Sequence, residues 1–134
     1  MLLSRTVRVG ALVAAMAVAG WLSAQSQPPS KQYVVLVKRG PRWVAGKSAA
    51  EQALGDHGRY LQAQMTKGAL QWAGRFLDDS GGLNLYNARD EPQARAIAEH
   101  DPGVVAGILA IDWIRPFDLA FDAASGKSPF NTAK

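Results

Sequence analysis

Two side chains in the sequence, His57 and Asp101, could together move protons to and from a small molecule. A neutral imidazole exchanges protons readily near neutral pH, and a carboxylate bonded to one ring nitrogen fixes its tautomer and stabilises its charged form. His57 falls between Leu54 and Leu61 on the apolar stripe of a predicted helix, and Asp101 comes four residues after Ile97 on a second helix. If both helices pack on the same side of a sheet, the two side chains can meet as a general acid–base pair.

Both residues also have an ordinary structural interpretation. A histidine on an apolar stripe is often a core residue with one satisfied hydrogen bond, and an aspartate before a proline often ends a helix or forms a turn. His100 is expected on the surface, because neighbouring residues of a helix point in different directions. The residues alone therefore leave three hypotheses open, which are an enzyme, a non-catalytic binding module and a structural protein with a buried histidine.

Three further residues are candidates for binding a substrate. Trp43 lies in a loop rich in glycine and proline, where its ring could stack on an apolar or aromatic group. Arg42 in the same loop, or Arg75 in a predicted strand, could pair with a carboxylate. The alternative is that Trp43 packs on its own domain and the two arginines are solvated.

Other kinds of chemistry find no support in the sequence. It contains no phosphate-binding glycine loop, no serine-nucleophile motif and no zinc-protease motif. Two histidines and no cysteine argue against a transition-metal site, and the lack of cysteine excludes disulfides and cysteine nucleophiles. We therefore expect neither a cofactor nor a metal.

Residues 1–24 have the pattern of a secretory signal peptide. Arg5 and Arg8 precede an apolar run over residues 10–22, which is too short for the ~20 residues that span a bilayer as a helix. Small residues at positions 23 and 24 favour cleavage after Ala24, and the alternative is an uncleaved anchor. We expect a periplasmic or secreted protein with no stable membrane association after cleavage.

Length and charge limit the remaining possibilities. The chain has 134 residues, of which 48% are hydrophobic, and this suits a single domain with a real core. Without the signal peptide it carries 13 basic and 11 acidic residues, scattered along the sequence rather than gathered in a stripe. A nucleic-acid partner is therefore not expected, because binding to phosphates needs concentrated positive charge.

The elements that must position these residues follow the order βαββαβ. Alternating and β-branched patterns predict strands over 33–38, 70–76, 83–87 and 107–116. A capping box at Ser48 and Glu51 predicts a first helix from residue 48, with an inner stripe that ends at Met65. Asp90 caps a second helix that Pro102 ends. We predict an α+β, ferredoxin-like sandwich over 32–121, with both helices on one face of a four-stranded antiparallel sheet, a linker over 25–31 and a flexible tail over 122–134.

The sheet face that the helices leave uncovered is predicted to bind a second copy of the chain. Strand one is apolar on both faces, and strand four places Leu109, Ile111 and Trp113 against Ile108, Ala110 and Ile114. A sheet with one face in water should instead alternate between apolar and polar residues. We therefore expect a homodimer that packs sheet against sheet.

Several short motifs occur together in a fixed order over most of the mature chain. They are His57 with Leu61, Gly68-Ala69-Leu70, Ala73-Gly74, Gly81-Gly82, Ala94 with Ala98, Asp101-Pro102, Val105-Ala106-Gly107 and Ile114-Arg115-Pro116-Phe117. In this order and spacing, the stretch from Tyr33 to about Phe117 resembles the YciI-like (YCII-related) proteins.

The resemblance implies a dimeric α+β barrel and a His–Asp pair at His57 and Asp101. Some YciI-like proteins are lyases of the dehydrochlorinase kind, and relatives of the same barrel are lactone isomerases. The implied activity is therefore proton abstraction with elimination or isomerisation on a small cyclic or carboxylated substrate. The chain departs from the family at Arg75, where proline is usual, and the substitution places a cation beside the expected cleft.

Overall fold

A computed structural model describes residues 30–130 of the protein. The expected signal peptide, all but the last two residues of the expected linker, and residues 131–134 lie outside this described part. The regular elements are β1 (Lys31–Arg39), a 3-10 helix (Ala49–Glu51), α1 (Gly55–Thr66), β2 (Leu70–Arg75), β3 (Gly81–Ala88), α2 (Glu91–Glu99), α3 (Pro102–Val105) and β4 (Leu109–Phe117).

The four strands form one antiparallel sheet in the order β2-β3-β1-β4, and the predicted α+β, ferredoxin-like fold is confirmed. Tyr33 in β1 lies opposite Tyr86 in β3 and Pro116 in β4. Since side chains alternate along a strand, Tyr33, Val35 and Val37 all point to one face of the sheet. That face and the helices enclose the core, whose buried members include Leu70, Tyr86, Ala94, Ala98 and Ile114.

A β-bulge in β4 changes the expected division between the two faces. Leu36 pairs with Trp113, whereas Val37 pairs with Ile111, so Asp112 is the extra residue. Ile111 and Ile114 therefore both contact the core, and Trp113 points to the opposite face. The prediction that Ile111 and Trp113 share a face is wrong, because simple alternation does not anticipate the bulge.

The first helix starts later than the sequence predicts. The capping box is present, with the backbone N–H and Oγ of Ser48 lying 2.9 and 2.8 Å from Oε2 of Glu51, but it caps only the short 3-10 helix. The backbone of Gln52 is extended, and α1 begins at Gly55. The inner face of α1 includes His57, Leu61 and the buried Gln64, whereas Met65, which the sequence places there, is 48% exposed.

The second helix begins as predicted, and Asp90 accepts a hydrogen bond from the N–H of Gln93 at 2.9 Å. Its end differs, because Pro102 starts a further short helix, α3, as well as following the end of α2. Proline suits the first turn of a helix, because the backbone N–H that it lacks would have no partner within the helix there. Asp101 is the N-cap of α3, and it does not belong to the inner face of α2 as the sequence suggests.

Beyond β4, the described chain contains no further helix or regular strand. The backbone N–H of Leu119 donates to Oε1 of Gln32 at 3.0 Å, and a turn is closed by a single bridge between Asp122 and Lys127. Among the helices of residues 30–130, none has the length and apolar character needed to cross a membrane.

Candidate active site

The fold brings His57 and Asp101 into direct contact although they are 44 residues apart in the chain. Nδ1 of His57 lies 2.9 and 2.7 Å from the two carboxylate oxygens of Asp101. The Asp101 side chain is only 2% exposed, while that of His57 is 19% exposed. The carboxylate is also held by the N–H of Gly103, which donates to Oδ1 at 2.8 Å, so its position is fixed by the start of α3.

The contact with Asp101 determines which nitrogen of His57 is free to react. A carboxylate accepts hydrogen bonds, so Nδ1 carries the proton that lies between the two groups. In the neutral ring, the lone pair is then on Nε2. Because His57 lines the adjacent cleft, this tautomer gives the site a basic nitrogen next to a fixed carboxylate.

The cleft lies between α1 and the face of the sheet that carries the core, and it has a volume of about 450 Å³. This volume is within the range of sites for small organic molecules. Much of its wall is aliphatic and comes from Val37, Leu54, Leu61 and Leu109. A ligand of this size could therefore place an apolar body beside the imidazole.

The structure places two of the three predicted substrate-binding residues in the cleft wall, namely Trp43 and Arg75. Arg42 is not among the residues that line the cleft. Its backbone N–H donates to the carbonyl of Gly107 at 2.8 Å, and its aliphatic stem lies beside the same glycine. Arg42 therefore contacts the turn before β4 and does not line this cleft.

Two polar side chains hold the loop that carries Trp43. The guanidinium of Arg39 lies over the Trp43 ring at 5.2 Å from its centroid, a cation–π contact. Gln52 is buried and bonds both the N–H and the carbonyl of Val44, at 3.0 and 2.9 Å, and the carbonyl of Lys47 at 3.2 Å. These bonds explain why the chain leaves the 3-10 helix at Gln52.

Arg75 lies at the edge of the cleft, and Asp79 orients its guanidinium group. Its Nη1 lies 3.3 Å from Oδ1 of Asp79, and its side chain remains 65% exposed. Asp79 has a φ of 59°, a left-handed conformation that aspartate tolerates better than most residues. Arg39 donates to the carbonyl of Asp79 at 2.7 Å and so holds this turn in place. Within residues 30–130, Asp79 is the side chain that the Arg75 guanidinium bonds.

The sequence analysis missed a group of polar residues near the pair. Tyr86 is fully buried on the core side of β3, and Asn84 donates to its hydroxyl at 3.3 Å. Burial raises the pKa of Tyr86 well above its usual range, and the negative charge of Asp101 raises it further. Tyr60 donates to the carbonyl of Ile97 at 2.7 Å, and its pKa is raised by burial and then by Asp101. The alternation in β3 predicts that Asn84 and Tyr86 face the same way, and this signal could have found them.

No group of three or more His, Cys, Asp or Glu residues within residues 30–130 is arranged to hold a metal ion. The arrangement at His57 is suited to proton transfer by the side chains themselves.

The fold and this cleft define an α+β protein whose helix-covered sheet holds a His–Asp pair beside a cleft of about 450 Å³. The sequence profile of the YCII-related domain matches residues 32–118, from β1 to the residue after β4, and the chain belongs to this family. The match includes His57, Asp101 and the whole wall of the cleft. Among individual curated proteins, none matches the chain.

Proposed function

We propose that the protein is a small-molecule lyase or isomerase in which His57 transfers protons and Asp101 orients it. The observation that carries the proposal is the double contact of Nδ1 of His57 with a buried carboxylate, at 2.9 and 2.7 Å, beside an open cleft. A purely structural histidine needs only one hydrogen-bond partner and no access to a cavity.

The reaction begins when Nε2 of His57 takes a proton from an acidic C–H of the substrate. The electron pair of that bond forms a new double bond, either by moving an existing double bond or by expelling a leaving group. Asp101 stabilises the imidazolium formed in this step. The proton then returns to another carbon in an isomerisation, or leaves with the displaced group in an elimination.

Trp43 and Arg75 select the substrate in this proposal. The Trp43 ring offers a flat apolar surface, and the guanidinium of Arg75 offers a charged partner for a carboxylate. Asp79 contacts the guanidinium at a single distance of 3.3 Å, and this leaves other N–H groups of Arg75 for a ligand. A small carboxylated molecule with a cyclic or apolar body fits these contacts.

A non-catalytic binding module is the second candidate, and the aliphatic wall of the cleft favours it. Such a wall binds an apolar ligand whether or not a proton is transferred. In a structural protein, by contrast, the cleft would have no ligand and His57 would serve only to satisfy Asp101. The three functions differ in what His57 does to binding and to turnover.

A thermal-shift screen of residues 25–134 against small organic acids, lactones and phenols is the first experiment, because a ligand that binds the folded state raises the melting temperature by an amount that grows with its concentration relative to its dissociation constant. Turnover of each hit is then measured with the H57A variant, and H100A serves as the control because the His100 ring is exposed and contacts the carbonyl of Ala96 rather than the pair. Loss of turnover by about 10²- to 10⁴-fold with binding retained supports the enzyme. Hits that H57A binds unchanged, with no turnover by either protein, support the binding module.

The homodimer is also part of the proposal. Leu36 and Leu83 lie on the sheet face that carries no helix, together with Trp72 and Trp113. Trp72 is 37% exposed there, and the guanidinium of Arg115 lies 5.5 Å from the centroid of the Trp113 ring. A second copy would remove this apolar surface from water. A molecular mass in solution of about twice the chain mass would support the dimer.

Export is proposed from residues 1–24, whose basic start and short apolar run are those of a signal peptide. The expected site of the protein is the periplasm or the medium. N-terminal sequencing of the protein recovered from these fractions should begin at Gln25. Retention of residues 1–24 in a membrane fraction would contradict cleavage and favour an anchor.

A further inference from the structure

Asn84 is a buried polar residue for which the fold has little need. It lies in the middle of β3, with Val35 opposite in β1 and Ala73 opposite in β2. Only 4% of its surface is exposed, and that part lines the cleft. Asparagine is disfavoured inside strands, and burying an amide costs free energy unless its polar atoms are bonded. A β-branched residue would suit the same position better if packing were its only role.

The hydrogen bonds of Asn84 leave part of its amide free. An asparagine side chain offers two N–H donors and a carbonyl acceptor. One N–H donates to the hydroxyl of Tyr86 at 3.3 Å, and no other residue of the described chain bonds the side chain. Within residues 30–130, every fully buried side-chain nitrogen or oxygen has a partner. The second N–H and the carbonyl of Asn84 have no partner within residues 30–130, so the carbonyl is not fully buried, and both groups belong to a side chain that lines the cleft.

We infer that Asn84 binds an oxygen atom of the substrate, and that the substrate carries this oxygen on an sp² carbon, as in a ketone, a lactone or a phenol. The inference rests on the proposed function and narrows its substrate class. Tyr86 is a positioning residue in this arrangement, because its hydroxyl holds one edge of the amide and turns the other toward the ligand.

The same contact assists the proposed proton transfer. When His57 removes a proton next to a carbonyl, the C–H electron pair forms a carbon–carbon double bond and the carbonyl π pair moves onto oxygen. The proton is then on Nε2 and the oxygen carries a negative charge, so the charges balance. An N–H of Asn84 donates to this oxygen more strongly as its charge grows, which lowers the barrier.

The test compares phenol with toluene, two rings of similar size of which only phenol has the oxygen. NMR titrations with the unaltered protein should show phenol bound about two- to tenfold more tightly, the value expected for one hydrogen bond. In N84V this preference should disappear while toluene binds as before. A preference for phenol that survives in N84V would overturn the inference, as would equal binding of the two rings by the unaltered protein.

Two further variants keep the test decisive. N84L has a side chain of about the same size that can neither donate nor accept a hydrogen bond, so it should lose the phenol preference even if N84V does not fold. H57A should keep the preference, because the contact belongs to Asn84. Exchange of the acidic hydrogens of a probe lactone with D₂O tests the proton transfer separately. A protein that prefers phenol through Asn84 and catalyses no exchange would retain this inference and overturn the proposed enzyme.

Discussion

Gly103 lies so close to His57 that a Cβ atom at residue 103 would be 3.2 Å from the Cβ of His57 and 3.0 Å from Cδ1 of Leu109. Gly103, in the first turn of α3, therefore packs directly against the base of the His57 side chain. G103A should push His57 away from Asp101 and lower the free energy of unfolding by about 1–3 kcal/mol, the usual cost of overpacking. Chemical denaturation gives the stability, and the NMR signals of the imidazole report its displacement.

The matched control for this change is G58A on α1. A Cβ at Gly58 meets nothing within 4 Å, and alanine is a better helix former than glycine. G58A should therefore stabilise the protein by about 0.5–1 kcal/mol and leave the imidazole signals unchanged. If G103A is as stable as G58A, the close packing described here does not position His57.

Replacing Asp101 by asparagine should reverse the tautomer of His57. The oxygen of the new amide keeps the bond from Gly103 and the N-cap of α3, which leaves its NH₂ group facing Nδ1. Nδ1 must then accept, and the ring proton moves to Nε2, where it blocks the basic position in the cleft. The ¹⁵N shifts of the His57 ring measure this change directly, and turnover should fall by up to about 10⁴-fold.

D101A separates the capping role of Asp101 from its effect on the tautomer. It removes the N-cap as well as the charge, and the lost cap alone costs about 0.5–2 kcal/mol. D101N should thus be clearly more stable than D101A while being equally inactive. An active D101N variant would contradict the assigned role of the carboxylate.

The loop that presents Trp43 should loosen when Gln52 is shortened. Q52A removes three bonds to the backbone of Val44 and Lys47, all from one buried side chain. We expect a loss of about 1–3 kcal/mol from the unsatisfied backbone groups, and faster hydrogen exchange at the N–H of Val44. The exposed Gln62 on α1 supplies the control, and Q62A should alter neither quantity. Unchanged exchange at Val44 in Q52A would show that other contacts hold the loop.

Stability should decline in alkaline solution because of Tyr86. Burial raises the pKa of this phenol in the folded protein, whereas in the unfolded chain its pKa is close to the ordinary tyrosine value of about 10. The unfolded state therefore loses its proton first as the pH rises. The contribution of Tyr86 is complete below about pH 10 and is lost as the pH rises from there through the folded pKa, by up to about 1.4 kcal/mol per pH unit.

Y86F provides the comparison for this alkaline loss. Denaturation curves at several values above pH 10 should show a shallower decline for Y86F than for the unaltered protein. At neutral pH the variant should be less stable by about 1 kcal/mol, because Asn84 loses the acceptor of its hydrogen bond. Equal slopes would mean that Tyr86 does not govern the alkaline transition.

The order of strands and helices could be predicted from the sequence because each strand has a clear run of β-branched or apolar residues. The capping residues Ser48 and Asp90 were also recognisable, because their hydrogen bonds are made with residues only three positions away. The late start of α1 depends on the bonds of Gln52 to a loop formed earlier in the chain. No local sequence pattern predicts such contacts. The first helix predicted from the sequence is therefore longer than α1 at its N-terminal end.

The candidate site was predictable only in part for a similar reason. His57 could be placed by its position on an apolar stripe, whereas the position of Asp101 depends on a new helix that begins at Pro102. Asn84 was missed because alternation places it on the same face as Tyr86 but does not show that this face borders a cavity. Arg42 and Trp43 are neighbours in sequence, yet only the latter lines the cleft, since the turn at Gly107 binds the former.

The proposed homodimer can be tested by placing one charged side chain on the sheet face that carries no helix. Trp72 lies on this face opposite Leu85 and is 37% exposed, so a glutamate there would carry a charge into the expected interface. Burying an unpaired charge opposes association, and W72E should weaken the dimer by about tenfold or more.

Leu77 is 88% exposed in the hairpin turn, away from the strands, and L77E adds the same charge outside the interface. Analytical ultracentrifugation should find W72E largely monomeric and L77E dimeric at the same concentration. If the dimer persists in W72E and dissociates in L77E, the interface lies at the hairpin turn. The sheet face that carries no helix would then not be the dimer interface.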